Sequence, residues 1–398
     1  MPSAIANLSV DSPPNPSVAE DHALSVRLDE VIHRALTEKR IVGTVVLVAR
    51  DGRVVYQRAA GSADREAGRP MRENELFRLA SITKVIVSAA ALALVEQHQL
   101  QLEDPVTRWL PDFRPKLEDG REPVITVRHL MTHTAGLTYR FREPAHGPYH
   151  RARISEGLDQ PGLSMEEHLR RIVSVPLSYV PGTSWGYSVA TDVLGAVIAR
   201  AGGASLPEVV ERLVTRPLGM SDTAFSVKDV ARLATPYADG HPEPVRMGES
   251  HTLATRASTV TFVPGRVFDP RSFPSGGGGM VGSAGDILKF LETLRMGGAP
   301  VLGASTVEQL TTAHVGPEAE SWGPGWGFGL GVGILVDPAK AGSPQSAGTW
   351  QWGGSYGHTW FVDPKHRLTV VALTNTASEG VFGAFPVTLR DAIYGAGR

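Results

Sequence analysis

Residues 81–95 read Ser81-Ile82-Thr83-Lys84-Val85-Ile86-Val87-Ser88-Ala89-Ala90-Ala91-Leu92-Ala93-Leu94-Val95. From Val85 onward the run is apolar on nearly every face, which predicts a helix enclosed by the protein rather than one lying on its surface. Side chains at i and i+3 share a helix face, so the Ser81 hydroxyl comes within hydrogen-bonding reach of the Lys84 amine. A lysine at such a dry boundary is placed to accept and return a proton. Ser81 lies near the helix N-terminus, where free backbone N–H groups and the dipole favour a developing anion. The competing reading is that Ser81 is only an N-cap. Of the lysines in the chain, however, Lys84 alone has a serine three residues before it.

The composition bounds what surrounds this pair. The chain has 398 residues, 42% hydrophobic and 20% charged, with a net charge of -2, enough for a large core and two subdomains. Near-neutral charge gives no electrostatic case for nucleic acid or an anionic membrane as partner. No apolar run approaches the roughly 18 residues of a membrane span. Residues 1–10 show no basic segment followed by an apolar one, so no secretory signal is expected and a cytoplasmic location is. Pro13, Pro14 and Pro16 predict a loose tail over residues 1–19. With no cysteine, disulfides, thiolate metal sites and cysteine nucleophiles are excluded, and neither a metal nor an organic cofactor is expected.

Around the buried helix, residues 20–41 predict a helix. Thr44–Arg50 and Arg53–Gln57 flank Asp51-Gly52 as two β-rich runs of a hairpin. After Asp104-Pro105 the texture changes to short helices, led by Thr126, Ser164 with Glu167, and Ser205. Residues 234–279, rich in Pro, Gly and Arg, read as long surface loops at the rim of a pocket. Ser283 with Asp286 and Ser305 with Glu308 open further helices. Strands follow near residues 327–336, 349–352, 359–362 and 368–373, with a closing helix over 382–394. Strands at both ends with helices between predict an α+β fold: one antiparallel sheet built from 20–105 and 280–398, and a mostly helical subdomain over 106–279.

Two further stretches bear on the chemistry. Pro181-Gly182-Thr183-Ser184-Trp185-Gly186-Tyr187-Ser188-Val189 places Tyr187 after a Pro/Gly turn at a helix mouth, where a phenol can enter a cleft or simply pack in the core. Gln351-Trp352-Gly353-Gly354-Ser355-Tyr356-Gly357-His358 reads as a strand ending in glycines, which permit close backbone approach and leave N–H groups free for an oxyanion. Both stretches contain a G-x-S-x-G match, at Ser184 and Ser355, but neither serine sits between a strand and a helix of a parallel sheet as that motif requires. His129 and His133 have the spacing of a helical zinc pair without the following Glu or a third ligand, so a structural role is expected. Gly276–Gly279 lacks the Lys-Ser/Thr of a phosphate loop.

Together the three boxes resemble the serine β-lactamase and penicillin-binding-protein superfamily in its class C-like branch. Ser81-Ile-Thr-Lys84 matches S-x-x-K, Tyr187-Ser-Val189 the Y-x-N box, and Trp352-Gly353-Gly354 the K-T-G box, in order along nearly the whole chain. The resemblance implies a β-lactamase/transpeptidase-like fold with Ser81 as nucleophile and Lys84 with Tyr187 as base. It implies an oxyanion hole from the N–H groups of Ser81 and Ser355, with Trp352, Gly353, Gly354 and Val189 against the substrate. Trp352 and Val189 stand where β-lactamases keep a lysine and an asparagine. That loss of a cation and a polar donor suits an uncharged, short-chain ester better than a penicillin. W-G-G is similar to the third box of family VIII carboxylesterases of the EstB type, which implies a small-molecule ester as partner. An acyltransferase of the same fold, a weak β-lactamase or peptidase, and a non-catalytic binding module are the alternatives.

Overall fold

A computed structural model of the chain describes residues 16–255 and 257–395; most of the expected tail, residues 1–15, lies outside the described residues. Its frame is an eight-stranded antiparallel sheet. In chain order the strands are β1 (Gly43–Arg50), β2 (Arg53–Asp64), β3 (Arg69–Pro70), β4 (Trp326–Phe328), β5 (Gly333–Leu335), β6 (Trp350–Gly354), β7 (His358–Asp363) and β8 (Leu368–Thr374). They lie side by side as β4-β5-β6-β7-β8-β1-β2-β3, so the two chain ends meet where β1 pairs with β8. The predicted hairpin closes at Asp51 and Gly52, both at positive φ, which the tight turn between right-twisted strands demands.

β1 and β8 are apolar almost throughout because both faces of the sheet are covered. Val46, Val48, Val370 and Ala372 point toward the helices Pro16–Thr37 and Ala384–Tyr394, meeting Leu24, Leu28, Ile32, Phe385 and Leu389. Their alternate neighbours Val45, Leu47, Val371 and Leu373 enter the main core with Phe290 and Leu291 of the helix Ala284–Arg295. Each of the Val, Leu, Ile and Phe side chains among these, withdrawn from water, contributes about 1.5–3 kcal/mol. The main core also encloses the helix Thr83–Glu96, buried from Thr83 through Leu94.

Several boundaries differ from the sequence reading. The first helix begins at Pro16, inside the expected tail, since a proline is tolerated in the first turn where no N–H is required. The single run expected over 327–336 is two strands, reversed at Gly331, whose φ is +101°. The Ser305 helix starts at Ala304 with Gly303 as its cap, leaving Ser305 inside the first turn. Ser164 caps its helix through the Glu167 N–H, but the Glu167 carboxylate turns to Arg170 and Arg171 instead of closing the box. The stretch 234–279 is not all loop: His251–Ala254 and Thr259–Phe262 form a hairpin, and Tyr237–Ala238 runs parallel to Thr376–Ala377. The alternating Thr259-Val260-Thr261-Phe262 is the β signal that the surrounding Pro and Gly obscure. The middle of the chain otherwise holds short helices, among them Val127–Met131, Met165–Val173 and Ala190–Ala201.

Candidate active site

The turn before the buried helix is held in a sparsely populated conformation. Ala80 has φ +46°, and a short 3-10 turn over Ala80–Ile82 hands the chain to the helix at Thr83. Leu79 donates to the Met280 carbonyl at 2.9 Å, and Thr83 Oγ1 accepts from the Met280 N–H at 3.2 Å. These two bonds clamp the turn to the strand Val281–Ser283 side of the fold and set the direction in which Ser81 points.

Lys84 is 1% exposed, and its Nζ donates to Ser81 Oγ at 3.2 Å and to the Gly277 carbonyl at 2.6 Å. Tyr187 Oη lies 2.6 Å from Ser81 Oγ, and the Lys84 Nζ sits 4.7 Å from the Tyr187 ring centroid. Serine, lysine and phenol therefore converge on one oxygen, the geometry a shared base requires. The Trp352 indole N–H donates to Tyr187 Oη at 3.4 Å, a long bond that faces the phenol oxygen with a donor.

Tyr187 is held in place by the second histidine of the pair noted above. Gly186 N–H donates to the His133 carbonyl at 2.9 Å, His133 Nδ1 and Ser188 Oγ are 3.0 Å apart, and the His133 and Tyr187 rings lie 4.9 Å apart. Burial, with the positive charges of Lys84 and Arg142, pushes His133 well below the ordinary imidazole range, so it stays neutral beside the ammonium. His129 caps its own helix by accepting from the Thr126 N–H. Both histidines are structural, and among the described residues no group of three or more His, Asp or Glu could hold a metal ion.

Behind Lys84 stands a residue that the sequence reading did not single out. Asp192, fully buried, accepts from the Ser275 hydroxyl at 2.6 Å and from the Gly277 N–H at 2.9 Å. Gly277 is the residue whose carbonyl holds Lys84. Against the effect of burial, His168 at 3.6 Å, then the Ser275 hydroxyl and the Gly277 N–H, keep the Asp192 carboxyl below its ordinary range. The signal for this arrangement was the Gly276–Gly279 run: a Cβ on Gly276 would stand 2.4 Å from the Thr191 carbonyl oxygen. These glycines bring backbone against backbone beside the lysine, and cradle no phosphate.

The third box ends β6. The β6–β7 ladder closes at Gly354↔His358, which leaves Ser355 beyond the last pair, and Ser355 and Ser81 line the same cavity. Gly357, at φ +110°, completes the turn, and a Cβ there would lie 2.1 Å from the Thr376 carbonyl oxygen. Ser81, Tyr187, Trp352, Gly353 and Ser355 all line one cavity of about 350 Å³, with Lys84 beneath it. Two of the expected substrate contacts do not. Val189 is fully buried in the core as the cap of the helix Ala190–Ala201, because an apolar side chain at that position gains more from the core than from the cleft. Gly354 packs against the turn before Ser81, where a Cβ would stand 2.3 Å from the Leu79 carbonyl oxygen. Of the two G-x-S-x-G serines, Ser184 is exposed outside this cavity, and Ser355 Oγ is buried without a hydrogen-bond partner and hence without a base.

A family model described as Beta-lactamase matches residues 28–392. The chain belongs to the beta-lactamase family. Within that family it is similar to Esterase EstB of Burkholderia gladioli, with 52% identity over 94% of this chain and 95% of the relative. Among solved structures it resembles EstCE1, described as a hydrolase with promiscuous acyltransferase activity. The TM-score there is 0.93, with 46% identity over 94% of this chain and 100% of that one. The simvastatin synthase LovD of Aspergillus terreus shares the fold at TM-score 0.73 and 23% identity, over 93% and 98% of the two chains. The expected beta-lactamase/transpeptidase-like architecture, an antiparallel sheet from both chain ends with helices, is thus the observed one.

In this beta-lactamase-family cavity the walls are mostly aromatic. Trp352 lies 5.2 Å from Tyr187 and 5.1 Å from Trp322, and Tyr139 stacks on Phe141 at 4.8 Å between ring centroids. Glu156 is 4% exposed, accepts from the Phe141 N–H at 2.9 Å, and lies 3.4 Å from Arg140. Burial pushes its carboxyl up to about 7, only partly opposed by Arg140.

Proposed function

We propose that the protein is a serine carboxylesterase working through an acyl-Ser81 intermediate. The observation that carries the reading is the placement of Ser81 Oγ 2.6 Å from Tyr187 Oη and 3.2 Å from Lys84 Nζ, in an aromatic cavity. The 52% identity to an esterase supports it over most of the chain.

The Lys84/Tyr187 pair takes the Ser81 proton as the hydroxyl attacks the ester carbonyl. Negative charge developing on the carbonyl oxygen is met by the N–H groups of Ser81 and Ser355, one at a helix start and one beyond the β6–β7 ladder. The same pair returns the proton to the departing alcohol oxygen. Water, deprotonated by the pair in turn, then attacks the acyl-Ser81 carbonyl; the bond from the carbonyl carbon to Ser81 Oγ breaks, the pair returns the proton to Oγ, and the acid leaves.

The experiment is labelling with a fluorophosphonate followed by peptide mapping, alongside hydrolysis of a short-chain p-nitrophenyl ester. Label on Ser81, with turnover lost in Ser81→Ala, is the expected outcome; label on Ser184 or Ser355 refutes the assignment. A second reading, acyl transfer to an alcohol, has its own support in the apolar cavity, which disfavours water, and in the likeness to EstCE1, a hydrolase with promiscuous acyltransferase activity. Ester products formed in the presence of competing alcohols measure it.

A further inference from the structure

Arg142 stands out among the residues around the catalytic cavity. Of the described side chains that line it, two are formally charged, Arg142 and Glu156. Glu156 is engaged by the Phe141 N–H and by Arg140, which also pairs with Asp159. Arg142 forms no ion pair among the described residues. Its guanidinium lies 5.5 Å over the Trp185 ring, and the ionisable groups that act on it are the phenols of Tyr179 and Tyr187. It is exposed at the cavity wall, and its guanidinium makes no side-chain hydrogen bond among the described residues. A cation whose donors are unpaired among the described residues, in the wall of the cavity that holds Ser81, is placed to receive an anion.

We infer that Arg142 is a carboxylate-recognition point, so that the preferred esters carry a free carboxylate separated by an apolar spacer from the ester group that Ser81 attacks. This rests on the esterase reading above. A single planar guanidinium matches a carboxylate through two parallel N–H donors, whereas a doubly charged phosphate would call on a second free cation, and Arg140 is already bound. The spacer follows from the remaining wall, where Trp322 lies 5.1 Å from Trp352 and 6.0 Å from Phe382, with Leu158, Val260 and Val381 adding aliphatic surface. The expectation of an uncharged ester rested on Trp352 and Val189; Arg142 lies outside those boxes and returns a cation to the cavity from a different loop.

The carboxylate can belong to the acyl or to the alcohol part, and two substrate pairs separate these cases. Monomethyl adipate against dimethyl adipate places it on the acyl side; 4-acetoxybenzoate against 4-acetoxybenzamide places it on the alcohol side. The quantity read is the ratio of kcat/KM for acid over neutral ester, in the wild type, Arg142→Met and Arg142→Lys. Any loss of packing against Trp185 affects both members of a pair and cancels in the ratio. A charge-assisted pair of this kind corresponds to a fall of about ten- to a hundredfold in the ratio for Arg142→Met on one side, with partial recovery in Arg142→Lys. Ratios equal in all three proteins on both sides overturn the inference while leaving the esterase reading intact. No turnover of any of the four esters by the wild type, with Ser81 unlabelled by fluorophosphonate, overturns the esterase reading itself.

Discussion

Lys84 is bound more closely to the Gly277 carbonyl, at 2.6 Å, than to the Ser81 hydroxyl, at 3.2 Å. The lysine is therefore aimed by backbone, and that backbone is aimed by Asp192, which takes the Gly277 N–H at 2.9 Å. Asp192→Asn keeps an oxygen for Gly277 and Ser275; Asp192→Ala keeps none. Asp192→Ala is expected to lose about tenfold or more in kcat and to displace the pH–rate profile, while Asp192→Asn retains most of the rate. Steady-state kinetics across pH check this, and an Asp192→Ala profile with unchanged apparent pKa values would remove Asp192 from the positioning of Lys84.

Tyr187→Phe removes the oxygen 2.6 Å from Ser81 and leaves the ring packed against His133 and Trp352. A loss of about 10²–10⁴ in kcat is expected, with little change in melting temperature. Trp352→Phe removes only the long indole bond to Tyr187 and should cost far less, within about tenfold. Near-wild-type turnover in Tyr187→Phe would hand the base role to Lys84 alone.

Gly357→Ala tests the turn that presents Ser355. The substitution demands a side chain at φ +110° and puts its Cβ 2.1 Å from the Thr376 carbonyl oxygen. Strain and displacement together should destabilise the fold by about 3 kcal/mol, read by urea denaturation. A variant as stable as the wild type would mean that the turn can relax without Gly357.

The meeting of Ser81, Lys84 and Tyr187 was legible because each carries a local signature: Ser81 and Lys84 share a helix face, and Tyr187 follows a Pro/Gly turn. The sheet was legible from both chain ends because β1 and β8 are continuous apolar runs. Asp192 and Arg142 were not legible, since their roles depend on contacts with Gly277 and Trp185 that are distant in sequence. Val189 differs for the opposite reason: a box position alone does not fix where a side chain points, and in the fold this apolar side chain lies in the core.

Glu156 gives a prediction on stability. Its carboxyl ordinarily titrates near 4.5, and in the folded protein burial raises it to about 7, with Asp159 adding to the rise and Arg140 opposing it. The folded state thus holds a proton that the unfolded chain has released, so this contribution to stability is full below about 4.5 and is lost as pH rises through about 7. The difference corresponds to about 3 kcal/mol. Glu156→Gln keeps an acceptor for the Phe141 N–H and cannot ionise. The variant should match the wild type near about pH 5 and exceed it near about pH 8, by up to that amount. His358, lowered to about 4 by burial, acts in the opposite sense at acid pH, but it is common to both proteins and cancels in their difference. Urea denaturation of the two proteins at both pH values decides the matter, and parallel pH slopes would show that Glu156 ionises in the fold as it does in water.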